Sequence, residues 1–380
     1  MQSRFDVIVM CLAGMILVGC ERQQAEAPPP LQVPLLSTAP FDTSSGQLDS
    51  QQIAALAQAS VDQARVEAKS LLQSTTAFLQ APSASSLVDA QQSWQHAYGA
   101  FLHFRVFGYL PITDPVEWRK QRIDAASTFS LLDSWPITGG YIDHVPGYPR
   151  SGIVNDLTLE ISPAVLLRQH GFSSEYDVSL GFHALDFLLR GGEQAREWHD
   201  FVLRERTEPV ASDEPLQSDS DHHESAEGVA HQERRRDYLA IGTGLLLTHI
   251  ERLQRRWQPQ GLYATTLANS DNIRLLAATR MALQNFLQRE VLVRRVDNPE
   301  WWTRRPEQRQ AELIALYRGT DVLAATLASV MPALEEWPEI LSRPRVGQAN
   351  DGSPAQQVQQ QERERVSALL GLLEPVTSTL

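Results

Sequence analysis

Apolar residues recur three and four apart over long stretches of this chain, while the alternation that marks strands is scarce. Ile53, Leu56, Ala57, Val61, Ala64, Ala68, Leu71 and Leu72 share one helical face. Trp94, Tyr98, Phe101, Leu102 and Arg105 share another, on a helix expected to start near Ser85 or Ser86 and to break at Gly108 and Pro111. The spacing returns in Tyr238, Ile241, Leu245, Leu246, His249, Leu253 and Trp257, and further helices are expected at about 271–296, 307–335 and 357–378. The chain therefore reads as all-α. Between Pro111 and Ser162 the pattern lapses into breakers such as Trp135-Pro136, Gly139-Gly140 and Pro146-Gly147. An irregular connection this long inside the first half is expected to be functional or locally structured. A second lapse at 206–231, where Ser, Asp, Glu and His displace apolar residues, reads as a solvated linker between two helical bundles, 48–205 and 232–380.

The first residues carry a different pattern. Arg4 precedes an apolar run from Val7 to Val18, too short and too early for a spanning helix, so residues 1–19 are expected to be an export signal. The run ends in Leu17-Val18-Gly19-Cys20, which is similar to a bacterial lipobox. Cleavage before Cys20 and acylation of that residue would hold the protein on a membrane by lipid, with residues 20–47, rich in Pro28, Pro29, Pro30 and Pro34, as a tether. An ordinary export signal with an incidental cysteine is the other reading. Glu21, where inner-membrane retention would favour Asp, points to the outer membrane, facing the periplasm. Of two cysteines, Cys11 leaves with the signal, so the fold must rest on its core and not on a disulfide. The net charge of −13 is unchanged when Arg4 and Asp6 are removed together, and so acidic a chain is a poor partner for nucleic acid.

One segment concentrates chemistry: Gly181-Phe182-His183-Ala184-Leu185-Asp186-Phe187-Leu188-Leu189-Arg190-Gly191. On a helix, His183 and Asp186 sit three apart on one face and are expected to point at one ion or substrate atom. The bland alternative is a structural His183 donating to a backbone carbonyl or to Asp186. This stretch resembles the signature of the imelysin-like family of M75 peptidase-like proteins, Gly-x-His-x-x-Glu followed by an aromatic-Leu-Leu run and a glycine. Asp186 replaces the motif Glu and shortens the acid by one methylene. Trp94 and Tyr98, Phe107-Gly108, Asp133-Ser134-Trp135-Pro136 and Leu316-Tyr317-Arg318-Gly319 follow the family in order, so the resemblance spans roughly residues 50 to 380. It implies a two-bundle fold, iron-regulated uptake, and a site made of Gly181, His183 and Asp186 with support from Trp94, Tyr98, Asp133 and Trp135.

A tight metal site needs three or more ligands. Beyond His183 and Asp186, the sequence offers Asp114, Asp124, Asp133, Asp143, His144 and Asp156 in the long loop, and His96 and His103 one heptad apart. The zinc-peptidase motif His-Glu-x-x-His is absent, since His222-His223-Glu224 lacks the second histidine at that spacing. No Gly-x-Ser-x-Gly or Walker glycine loop is present either. Arg234-Arg235-Arg236, Arg255-Arg256, Arg294-Arg295 and Arg304-Arg305 read as solvated helix faces, with capture of an anion such as a haem propionate or ferric chelate as the alternative. Trp301-Trp302 is expected to dock the second bundle on the first. Three functions remain: a protein binding iron, another divalent metal or an iron chelate; a metal-dependent peptidase; and a non-catalytic scaffold for envelope partners.

Overall fold

The computed structural model describes residues 47–110, 128–203, 220–343 and 355–374, with side chains in the third segment from residue 231. Among these residues the fold is all-α, and the only β pairings are isolated bridges at Val145 with Tyr148 and Gly191 with Ala195. Helix α1, Ser50–Gln80, starts where the Asp49 carboxylate accepts from the Gln51 and Gln52 amides at 2.8 and 3.2 Å. Its expected stripe is buried at Ile53, Ala57, Val61, Ala64, Ala68 and Leu71, with Leu56 and Leu72 half-buried at the margin. Helix α2, Ala84–Phe104, returns after a short turn and begins slightly earlier than the apolar pattern suggests. The cap is Ser83, because Ser86 Oγ accepts from its amide at 3.0 Å while Ser83 Oγ accepts from Ser86.

After a 3₁₀ turn at Arg105–Tyr109, the long connection carries a helical stretch α3 over 128–133, the short α4 at Gly139–Ile142 and α5 at Pro163–Gln169. Helix α6, Phe182–Arg190, bears the motif. Helix α7 runs Ser220–Trp257, so the end of the expected 206–231 linker is helical. Ala226, Ala230, Glu224 and Glu227 are compatible with helix despite their polar setting, because a solvated tract of good helix formers need not be a loop. Residues 204–219 lie outside the described residues.

The second half continues with α8, Leu262–Ala268, and α9, Asn272–Phe286, which passes without a break into a π-helix at Leu287–Val296. Then come α10, Pro299–Trp302, α11, Pro306–Ala328, α12, Trp337–Ser342, and α13, Ala355–Leu372. The described residues form one compact unit in which helices of the two expected halves meet: α1 packs on both α2 and α7, and α2 on α11. Gly319 makes the last contact close, since a Cβ there would overlap the His103 carbonyl. No described helix is long and apolar enough to cross a membrane.

Candidate functional site

The motif glycine acts through backbone geometry. Gly181 has φ +90°, open to glycine at little cost, and a Cβ there would overlap the Leu132 carbonyl. Only a bare Cα lets the start of α6 close on the end of α3, and that contact sets Asp133 against His183. His183 Nε2 lies 3.1 Å from Asp133 Oδ1 and 3.2 Å from the Tyr98 hydroxyl, which donates to the same Oδ1 at 3.0 Å. Trp94 Nε1 donates to the Phe182 carbonyl at 2.8 Å and pins α6 to α2. The Trp135 ring centroid sits 4.9 Å from that of His183. Gly181, Trp94, Tyr98, Asp133 and Trp135 are thus gathered around His183.

Asp186 is turned to other partners. It accepts from Arg190 Nε at 2.8 Å and lies 3.9 Å from Arg304 Nη2, so His183 and Asp186 do not converge on one atom. The one-turn spacing places both on the wall of a single cavity of about 560 Å³, but each is already paired. The other proposed ligands are spread out. Asp143 pairs with Arg235, Arg196 and His144; Asp156 caps Thr158; His96 is exposed; Asp114 and Asp124 lie outside the described residues, as do the side chains of His222, His223 and Glu224. Among the described residues no group of three or more His, Cys, Asp or Glu is arranged to hold a metal ion.

Arginines compensate the buried acids. Arg294 Nη2 is 3.2 Å from Asp133 Oδ2. Arg105 Nη2 is 2.5 Å and the Tyr109 hydroxyl 2.8 Å from Glu290 Oε1, and Arg295 bridges Glu290 at 3.2 Å and Glu312 at 3.3 Å. Arg304 Nη1 is ion-paired with the other Glu312 oxygen. Burial alone would raise the Asp133 carboxyl, but Arg294, His183 and Arg295 hold it well below the usual carboxylate range. Glu290 is likewise lowered to about 2, against its burial, by Arg105, Arg294 and Arg295. Burial drives the His183 imidazole below its ordinary value and the Tyr98 phenol far above its own. At neutral pH His183 is therefore neutral; with Nε2–H given to Asp133, Nδ1 is its basic nitrogen.

These pairings correct the reading of arginine runs as solvated faces. Arg294 and Arg295 belong to the π-helix, whose wider turn brings Glu290 and Arg295 together, with Arg295 Nη1 also donating to the Glu290 carbonyl at 2.8 Å. Arg234, Arg235 and Arg236 all bond the first half: Arg234 Nε reaches the Val154 carbonyl at 2.8 Å, Arg235 Nε reaches Asp143 at 2.5 Å, and Arg236 Nη1 reaches the Phe201 carbonyl at 2.7 Å. Arg255 is exposed, as expected. Trp301 and Trp302 donate to Glu312 and to the Val296 carbonyl at 3.2 and 2.9 Å, so these bonds brace the second half internally. The signal overlooked was local: Val291, Leu292, Val293 and Val296 surround Arg294 and Arg295, an apolar setting foreign to a solvated face.

Fold and site define a helical protein with a buried histidine–aspartate–tyrosine centre set among arginines at the wall of a cavity. The chain belongs to the imelysin family, peptidase M75, whose family profile matches residues 57–338. The fold is also similar to a solved structure from Parabacteroides distasonis ATCC 8503 named a "putative iron-regulated protein A precursor", with 12% identity, a TM-score of 0.44, and coverage of 88% of this chain and 97% of that one. No curated protein matches the chain.

Proposed function

We propose that the protein is a capture protein for iron acquisition, and that it holds an iron-containing ligand in the cavity beside His183 instead of a bare ion between His183 and Asp186. The observation that carries this is the state of the acids. Asp133, Glu290 and Glu312 are each engaged by buried guanidiniums, and Asp186 by Arg190. A cation at His183 would have to displace those arginines and would then face their charge. A pre-chelated ion needs none of these carboxylates. The iron theme comes from the association of the imelysin family with iron-regulated uptake. On this reading the chain is exported, cut before Cys20 and held by lipid at the outer membrane facing the periplasm, where a tether gives a high effective concentration near envelope partners.

The test is thermal stability of the full chain with ferric chelates and with iron, zinc or copper ions alone. A saturable rise in Tm with a ferric chelate and none with bare ions is the expected result. A saturable rise with a bare ion that vanishes in His183→Ala would overturn it. One observation favours the peptidase reading: an aspartate-oriented imidazole is the arrangement of a general base. Turnover of an unfolded peptide, abolished by His183→Ala with helix content intact, would establish that activity.

A further inference from the structure

We propose that the cavity recognises its ligand through a carboxylate seated against Arg304 and Trp135. This deepens the capture reading above and rests on it only for the presence of iron. The Arg304 side chain is 8% exposed, and its two terminal nitrogens are used unequally. Nη1 is ion-paired with Glu312, while Nη2 has no hydrogen-bond partner, the carboxylate of Asp186 standing off at 3.9 Å. Trp135 Nε1 is also buried without a partner. The Arg304 guanidinium carbon lies 5.1 Å from the centre of the Trp135 ring, so the two residues share one wall, and both line the cavity. Both groups donate and neither accepts, so the ligand atoms that complete them are acceptors.

The charge count gives the acceptor its sign. Four guanidiniums, Arg105, Arg294, Arg295 and Arg304, meet three carboxylates, Asp133, Glu290 and Glu312, and the nearby Asp186 and Arg190 cancel each other. His183 is neutral and Arg304 stays charged, its guanidinium raised against burial by Glu312, Tyr98 and Asp186. One positive charge is left over, which calls for an anionic acceptor; the two donors on one wall, not the net charge, favour a planar carboxylate over a tetrahedral phosphate. A planar carboxylate can take Nη2 and the indole N–H together, and charge-assisted bonds of this kind are strong in a dry wall.

The experiment is calorimetric titration of the full chain with iron-free citrate, ferric citrate, a carboxylate-free ferric hydroxamate and inorganic phosphate. The variants are Trp135→Phe, which keeps the ring beside His183 but removes the N–H, and Arg304→Gln, with helix content followed by circular dichroism. Citrate is expected to bind, phosphate not to compete, and each variant to weaken citrate about tenfold. If Arg304→Gln unfolds, Trp135→Phe alone decides. The proposal is overturned if no carboxylate binds, if phosphate displaces citrate, or if Trp135→Phe binds citrate as the wild type does. Binding of the hydroxamate with citrate inert also overturns it, and leaves the iron reading standing. Equal binding of citrate with and without iron keeps the carboxylate site and removes the iron reading.

Discussion

Two buried aspartates, Asp133 and Asp143, are each fed by arginines from distant sequence, yet they are wired differently. Around Asp133, three acids from three elements share four guanidiniums, so any one arginine has more than one carboxylate within reach. Around Asp143, one carboxylate takes Arg196 at 2.9 Å, Arg235 at 2.5 Å and His144 at 3.0 Å, and Arg235 spends Nη1 on the Asp200 carbonyl. The first is a redundant network beside a cavity. The second is built on one acid that helps tie the long connection to α7. Removing one acid should therefore be tolerated in the first region and costly in the second, although both are equally buried.

The largest expected effect follows directly. Asp143→Asn takes the carboxylate from Arg235 and leaves Arg196 with Asp200 at 3.8 Å, and is expected to cost about 3–5 kcal/mol in urea unfolding. Glu290→Gln is expected to cost about 1–3 kcal/mol, because Asp133 and Glu312 remain for Arg294 and Arg295. Equal losses would sink the contrast.

The next effect tests how tightly each region is closed. Gly181→Ala combines positive φ with overlap on the Leu132 carbonyl and is expected to cost about 2–3 kcal/mol, with Asp133 and His183 driven apart. Gly147→Ala, near Asp143, also has positive φ, +82°, but meets nothing within 4 Å, and is expected to cost about 1 kcal/mol. Thermal melts of the two variants should rank them in that order.

Acid sensitivity is the gentlest probe. His183 is depressed in the fold by burial, so its contribution is full above the unfolded imidazole value of about 6.5 and is lost as pH falls below it. Asp133 and Glu290 are depressed despite burial, by their arginines, so theirs is full above about pH 4 and is lost on further acidification. Just below pH 6.5, His183→Gln should flatten the stability curve by up to about 1.4 kcal/mol per pH unit. An unchanged slope there would mean that His183 titrates in the fold as it does in the unfolded chain.

The helices were legible because burial leaves a period in the sequence, and Ile53 to Leu71 show it on one stripe. His183 and its neighbours Trp94, Tyr98, Asp133 and Trp135 were legible through the motif they share with a family. The partner of His183 was not. Helical spacing favours Asp186, whereas the acid that meets the imidazole lies 50 residues upstream and arrives through a glycine contact. The buried arginines were hidden for the same reason: Arg294 becomes interpretable only once Asp133, 161 positions away, is known to face it. The π-helix was illegible because a 3.6-residue period was assumed throughout 271–296.

That π segment also limits how the chain can vary in length. A π turn holds more residues than an α turn, so with the π hydrogen bonding kept, deleting one residue from 287–296 would move every later side chain one position around the axis, roughly a quarter of a turn. Arg294 and Arg295 would then face away from Asp133 and Glu312. Surface loops can lose residues freely; this ten-residue stretch, though entirely helical, behaves like a gear tooth whose count cannot change.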